Sequence, residues 1–443
     1  MVRALIVFAA VPLFLAMGAE ASPPPATERP AVWRAAVREI NEQLPERHPD
    51  WFHRITAPDW DTAADKLNER VPALDEQLLA LELSRLVALG GDSHTAVRLP
   101  PIEPAMATLP VRFAVMDDGV FIAAANGPHH RLIGARVVGF GPLGADEAIA
   151  GVSTLFAWEN EHWRRRQAAA FLTIPAALEM IGATPDRQTV RLRVRPPGGE
   201  GGEETVTAEA LSPEEARGGW ATWMSRLDGK VPLAVKGASS FYRSEFLDDS
   251  GVMYVQYNKC ASAPGFPFPE FARFVLSKCA ELDARRIVID LRENAGGNEG
   301  VILPLTVPLS VTERFREPGS IVCLIGPGTY SSGMGNAISL SRIGAVLIGQ
   351  PTGGKPNSFG EVRSFPLQEL GTVVYHSTRL WTKVPDSDPL SLLPDVAVPR
   401  LGDDLRTGRD RALEAAISYT PGSRQGPDAG ADGAPGGTTG REP

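Results

Sequence analysis

Between residues 250 and 420 the chain alternates short apolar runs with longer amphipathic ones, and no other feature restricts its fold as much. VMYVQYN is followed by PEFARFVLSKCAELDA, RIVIDLR by GNEGVILPLTVPLS, and SIVCLI by NAISLSRIG and then AVLIGQP. The apolar runs are rich in Val and Ile and bounded by Gly, Pro, Asn or Asp, which predicts buried strands. The segments between them read as helices. This rhythm predicts an α/β layered core, placed over residues 211–420.

The rest of the chain divides by period. Residues 22–98 are helical in character: AVWRAAVREINEQL and DTAADKLNERVPALDEQLLALELSRLVALGG carry apolar residues at helical spacing, broken at Pro72 and ended by Gly90-Gly91. Residues 99–210 read as a small β-rich module. LPVRFAVMDDGVFIAAA predicts two strands turning at Asp117-Asp118-Gly119, RLIGARVVGFGPLGADEAIAGV a strand, turn and helix, and TVRLRVRPPGGEGGEETVTAEAL a hairpin. Residues 421–443 hold almost nothing apolar and predict a disordered tail.

The first residues predict the compartment. A basic start at Met1-Val-Arg3, an apolar run from Ala4 to Met17 too short for a bilayer span, and Ala19-Glu-Ala21 together read as a signal peptide over residues 1–21. Cleavage would leave a secreted or periplasmic chain. Ser22, not a cysteine, stands directly after the site and no second run reaches a span, so no stable membrane anchor is expected.

Several chemistries are disfavoured. The net charge is −9 and no basic block occurs, which argues against a nucleic-acid partner. Cys260, Cys279 and Cys323 are too few for a disulfide framework and lack metal-ligand spacing; they read as small buried residues. With no paired-His helix, Cys cluster or phosphate loop, neither metal nor cofactor is expected.

Two glycine-containing turns follow predicted strands. In GPGTYSSGMGNAISL a pair of serines, Ser331 and Ser332, stands where a strand enters a helix. Serine needs a base and oxyanion donors to act as a nucleophile. A strand-to-helix turn supplies the second need, because the amide after Ser331 faces the same space and the helix N-terminus favours negative charge. The same serine also stands where a simple helix cap would. The second turn, Glu293-Asn-Ala-Gly-Gly-Asn298, follows RIVIDLR, and ligand sites of open α/β sheets lie beyond such strand ends.

These stretches resemble a known family. IDLRENAGGNEG is similar to the D-L-R-x-N-x-G-G turn of the C-terminal-processing, or tail-specific, serine peptidases. GTYSSGMGNAISLSRIGAVLIGQPTGGKP resembles their T-x-S turn, helix, strand and following G-x-P-T-x-G-K turn, and Gly91-Asp-Ser-His-Thr95 resembles their D-x-H-T motif. The middle segment resembles their PDZ-like module, with LIGARVVGFG at its carboxylate loop. The resemblance implies a crotonase- or Clp-like α/β catalytic core with an N-terminal helical region and a PDZ-like module. It makes Ser331 the nucleophile, Ser332 one oxyanion donor, and Gly296 or Gly297 the other.

The base is open between two residues. Tail-specific members use a lysine held by a glutamine four residues on. Lys355 lies 24 residues after Ser331 in the matching turn, but Phe359 stands at the glutamine position. The tricorn-core-like branch uses a histidine preceded by a serine, with a distant acid. His94 after Ser93 fits, alone among the seven histidines, and a histidine works near neutrality without a large shift. The acid of that pattern falls on Asp388, seven residues before the Asp395 of Pro394-Asp395, with Glu361 a lower-ranked candidate.

The function expected is that of an exported serine endopeptidase acting on unfolded or C-terminally exposed polypeptides, and self-association into a homo-oligomer is compatible with it. The alternative is a non-catalytic secreted protein of the same fold that binds peptides or small ligands.

Overall fold

The computed structural model describes residues 29–198, 202–227 and 231–422. The expected signal peptide and all but Pro421 and Gly422 of the expected tail lie outside the described residues.

Six strands make the central sheet, in the order Val396–Ala397, Val346–Gly349, Ile321–Ile325, Arg286–Asp290, Val252–Tyr257 and Tyr242–Leu247. The first five run parallel and Tyr242–Leu247 closes one edge antiparallel. Successive side chains point to opposite faces of a strand, and here both faces are covered. Ile287 and Ile289 pack with Phe271, Val275 and Leu309 of the helices Phe268–Glu281 and Leu303–Val311. Val288 and Val322 pack with Leu413 and Ala416 of the helix Arg411–Ser418. That two-sided burial is why these strands are continuous apolar runs rather than alternating ones. Cys260, Cys279 and Cys323 are all buried and unpaired.

Residues 111–209 form an antiparallel sheet with the main order Val111–Met116, Gly119–Asn126, Arg136–Phe140, Thr189–Arg195 and Glu204–Glu209. The short strands Leu143–Gly144 and Trp220–Thr222 join its inner members. The helices Ala145–Val152 and Glu161–Phe171 close its core.

The N-terminal helices Arg29–Arg47, Ala57–Arg70 and Glu76–Ala88 do not complete their own core. Trp33, Ile40, Leu44, Trp60 and Leu83 share it with Phe365, Leu367 and Val374, which arrive from beyond the central sheet. Ala96–Val97 pairs antiparallel with Thr372–His376, and Arg363–Leu367 adds a third strand. The three helices bury one apolar face among themselves and need a further layer to close it. The small sheet that covers it also carries the segment Asp92–Thr95 toward the central-sheet half of the chain.

Candidate active site

The two glycine-containing turns meet at the C-terminal ends of the adjacent parallel strands Arg286–Asp290 and Ile321–Ile325. The first is anchored by Arg292, whose guanidinium is buried between Asp290 (2.6 Å) and Asp410 (2.7 Å). Asn294 then folds the turn over itself. Its Nδ2 donates to the Tyr257 carbonyl (2.8 Å) and its Oδ1 accepts the Gly296 N–H (2.9 Å). Cys260 N–H donates to the Gly296 carbonyl (3.0 Å) and Asn298 N–H donates to the Cys260 carbonyl (2.7 Å). A residue flanked by two such bonds turns its own amide and carbonyl to the other side. For Gly297 that side is the serine turn, where its carbonyl accepts the Ser332 hydroxyl (2.6 Å). Gly296 and Gly297 take φ of +108° and +132°, and an added Cβ on Gly296 would stand 2.7 Å from the Ser331 Cβ.

Ser331 stands at the N-terminus of the helix Ser332–Arg342 with φ 52° and ψ −128°, and its side chain makes no capping bond. A non-glycine residue in this region is strained, and such strain collects at functional turns. The cap reading of Ser331 therefore fails. Among the described residues neither the Ser331 hydroxyl nor the N–H groups of Gly297 and Ser332 have a hydrogen-bond partner. Of the two glycines, Gly296 has its amide committed to Asn294, which leaves Gly297 as the free donor.

His94 arrives in a tight turn built on Asp92. The Asp92 carboxylate accepts the His94 N–H (2.9 Å), the Ser377 hydroxyl (2.7 Å), His48 Nε2 (3.2 Å) and the Thr95 hydroxyl. His48 Nδ1 accepts the Asp50 N–H (3.1 Å), so its proton sits on Nε2 and points at Asp92. Burial alone would raise the Asp92 carboxyl, but these donors and the nearby His94 outweigh it and hold it well below the usual carboxylate range.

The imidazole of His94 stacks on the ring of Tyr330, the residue before Ser331, at 4.6 Å, and Trp163 stacks on the opposite face of Tyr330 at 4.0 Å. His94 Nδ1 bonds the Tyr330 hydroxyl (2.9 Å), while its Nε2 is buried without a partner among the described residues. Burial pushes the imidazole below the ordinary histidine range, with Asp92 working against that shift. At neutral pH it is uncharged.

Ser93 bonds the Tyr330 hydroxyl (2.5 Å) and donates to Glu159. Glu159 is 7% exposed, and burial and the neighbouring Asp92 push its carboxyl up to about 8. Asn160 delivers it: the amide donates to the carbonyls of Gly353 (2.9 Å) and Leu390 (2.8 Å) while its oxygen caps the helix Glu161–Phe171.

The expectation for Asp388 is corrected. Its carboxylate is ion-paired with Lys355 Nζ at 2.8 Å, and its side chain is 64% exposed, so the partner of His94 Nδ1 is Tyr330 instead. Lys355 is committed to that pair, and neither it nor His94 Nε2 bonds the Ser331 hydroxyl. Phe359, at the glutamine position, packs its ring 4.5 Å from His48 and 4.7 Å from His53, supporting the Asp92 turn rather than the lysine. Glu361 faces Arg379 at 4.0 Å on the exposed surface. Ser331, Ser332, Gly297, Ser93 and His94 thus gather around one turn, together with Tyr330 and Glu159, which sequence reasoning missed. Tyr330 was legible as a neighbour of Ser331; Glu159 lies in WENEHW, where only the capping Asn160 gives a local signal. Among the described residues no group of three or more His, Cys, Asp or Glu side chains is arranged to hold a metal ion.

No family model matches the chain, and no curated protein matches it in sequence. Its fold is nonetheless that of solved structures. Mature CPAF superposes with a TM-score of 0.57 at 11% identity, over 88% of this chain and 95% of that one. A serine-to-alanine mutant of CPAF gives 0.58 at 11% identity, over 85% and 94%. At this identity the similarity is one of fold.

Proposed function

We propose that this chain, whose fold is that of CPAF and with it of the C-terminal-processing peptidases, is a serine endopeptidase of unfolded or C-terminally exposed polypeptides. The observation that carries the reading is Ser331 itself: a strained residue with an unbonded hydroxyl, between two free amides and beside the stacked His94–Tyr330 pair. In the proposed mechanism Ser331 Oγ attacks the scissile carbonyl and its proton passes to His94 Nε2. The oxyanion is received by the N–H groups of Gly297 and Ser332, at the positive end of the helix Ser332–Arg342. His94 then protonates the leaving amine, and a water molecule releases the acyl group by the same steps. The antiparallel sheet of residues 111–209 is the proposed PDZ-like element, presenting substrate by strand addition, and export belongs to the same proposal.

The test is cleavage of an unfolded protein by the parent chain and by Ser331→Ala, His94→Ala and Lys355→Ala. Loss with the first two and retention with the third supports a Ser–His peptidase. If a broad substrate panel is not cleaved while peptides still bind, and bind equally to Ser331→Ala, the chain is a binding protein of this fold.

A further inference from the structure

The reading above leaves one buried carboxyl, Glu159, and two buried hydroxyls without a task. They are joined in series. Glu159 bonds Ser93 Oγ, Ser93 Oγ bonds the Tyr330 hydroxyl at 2.5 Å, and the Tyr330 hydroxyl bonds His94 Nδ1 at 2.9 Å. All four side chains are at most 8% exposed. Each hydroxyl has one proton and a neighbour on either side, so each donates one way and accepts from the other. Such a chain has two self-consistent directions.

We propose that Glu159, Ser93 and Tyr330 form a proton wire whose direction sets the tautomer of His94, with the ionisation of Glu159 as its switch. The three are positioning residues, and the proposal rests on the reading of Ser331 as nucleophile and His94 as base. With Glu159 protonated, the carboxyl donates to Ser93, Ser93 to Tyr330 and Tyr330 to His94 Nδ1. The imidazole then carries its own proton on Nε2 and has no lone pair to offer Ser331. With Glu159 ionised, the carboxylate accepts from Ser93, Ser93 accepts from Tyr330, and Tyr330 accepts from Nδ1–H. The lone pair is then on Nε2, the buried ring nitrogen that has no partner among the described residues and that the proposed mechanism assigns to the Ser331 proton. The two states differ by one proton. It is lost to solvent from Nε2 while the protons of Glu159, Ser93 and Tyr330 each move one place, to Ser93, Tyr330 and Nδ1.

The surroundings bias the switch toward neutral pH. Besides Ser93, Glu159 faces Asp92 from the His94 turn, Lys355 from the turn after the strand Val346–Gly349, and Arg54 from the N-terminal region. Burial and Asp92 favour the protonated form; Ser93, Lys355 and Arg54 favour the ionised one. His94 itself faces Asp92 at 3.9 Å and the Tyr330 ring. Burial holds the imidazole below the ordinary histidine range, so at and above neutrality its tautomer, not its charge, is the variable.

The experiment is nitrogen NMR of the histidine side chains in full-length Ser331→Ala protein, with His94 assigned through His94→Gln. In the titration between about pH 6 and 9, His94 is expected to change from Nε2–H to Nδ1–H with a midpoint near that of Glu159. Glu159→Gln, which keeps the shape and cannot titrate, is expected to abolish the change, as is Ser93→Ala, which cuts the wire elsewhere. A His94 tautomer that stays constant in the Ser331→Ala protein, or changes alike with Glu159→Gln, overturns the wire. In the active chain the companion readout is the acidic limb of kcat/KM, about tenfold per pH unit when one ionisation controls the base. That limb should disappear in Glu159→Gln and overturns the wire if it persists unmoved. If Ser331→Ala cleaves protein as the parent does, the reading of Ser331 as nucleophile fails, and the NMR titration still decides the wire by itself.

Discussion

Replacing Glu159 by Gln should make the protein more stable at pH 8 than the parent, although it removes a native side chain from the site. The carboxyl is buried beside the Asp92 carboxylate, and its proton is held up to about 8 against 4.5 for an ordinary glutamate. A raised carboxyl in the folded state means that the folded chain holds a proton which the unfolded chain releases. Stability is therefore insensitive to this group below about pH 4.5, falls as pH rises from there to about 8, and is level above. The shift of 8 minus 4.5 is 3.5 pH units, and at about 1.4 kcal/mol per unit it amounts to about 5 kcal/mol lost by the parent across the window. Glutamine keeps an acceptor for Ser93 and has no proton to release, so it does not lose this increment. The assay is urea unfolding of both chains at half-unit steps of pH, reading the difference in stability so that other titrating groups cancel. The expected curve starts near zero or slightly against the mutant at pH 4.5 and rises toward it by several kcal/mol at pH 8. A difference that stays flat would refute the claim that Glu159 is buried and held protonated.

Three further outcomes follow from the same geometry. Ser331→Gly should abolish cleavage, by at least about 10⁴-fold, while stabilising the fold by about 1 kcal/mol, because glycine relieves the left-handed strain at φ 52°; unfolding curves and turnover report the two effects separately. Gly296→Ala puts a methyl group 2.7 Å from the Ser331 Cβ and 3.1 Å from its Oγ, displacing the proposed nucleophile, so kcat should fall by about 10²-fold or more while peptide binding, measured by fluorescence anisotropy, is retained. Asp92→Asn leaves His48, Thr95, Ser377 and the His94 amide sharing a neutral acceptor and should cost about 3 kcal/mol at pH 7. Because the Asp92 carboxyl is held below its ordinary range, its contribution is present above that range and vanishes as pH falls through the depressed value, so the penalty should shrink in acid.

The architecture was legible because burial imposes itself locally. A strand covered on both faces must be apolar throughout, and RIVIDLR and SIVCLI say so without reference to any partner. Turn chemistry is local too: glycines at 296 and 297 and a serine at a strand-to-helix junction mark both halves of the proposed oxyanion site. Ser331, Ser332, His94 and Ser93 could all be named from short motifs for that reason. The choice between Gly296 and Gly297 could not, since it turns on which amide the Asn294 side chain occupies. Nor could the partner of His94. Counting back from Pro394-Asp395 points to Asp388, but the chain path spends that carboxylate on Lys355 and brings Glu159 in from the loop before the helix Glu161–Phe171, 66 residues from Ser93 along the chain. Spacing along a chain determines which side chains share a face within one element, where the backbone repeats. It says nothing about which buried groups from separate elements must satisfy each other, and that pairing, decided only when the layers close, is what built the Glu159–Ser93–Tyr330–His94 series.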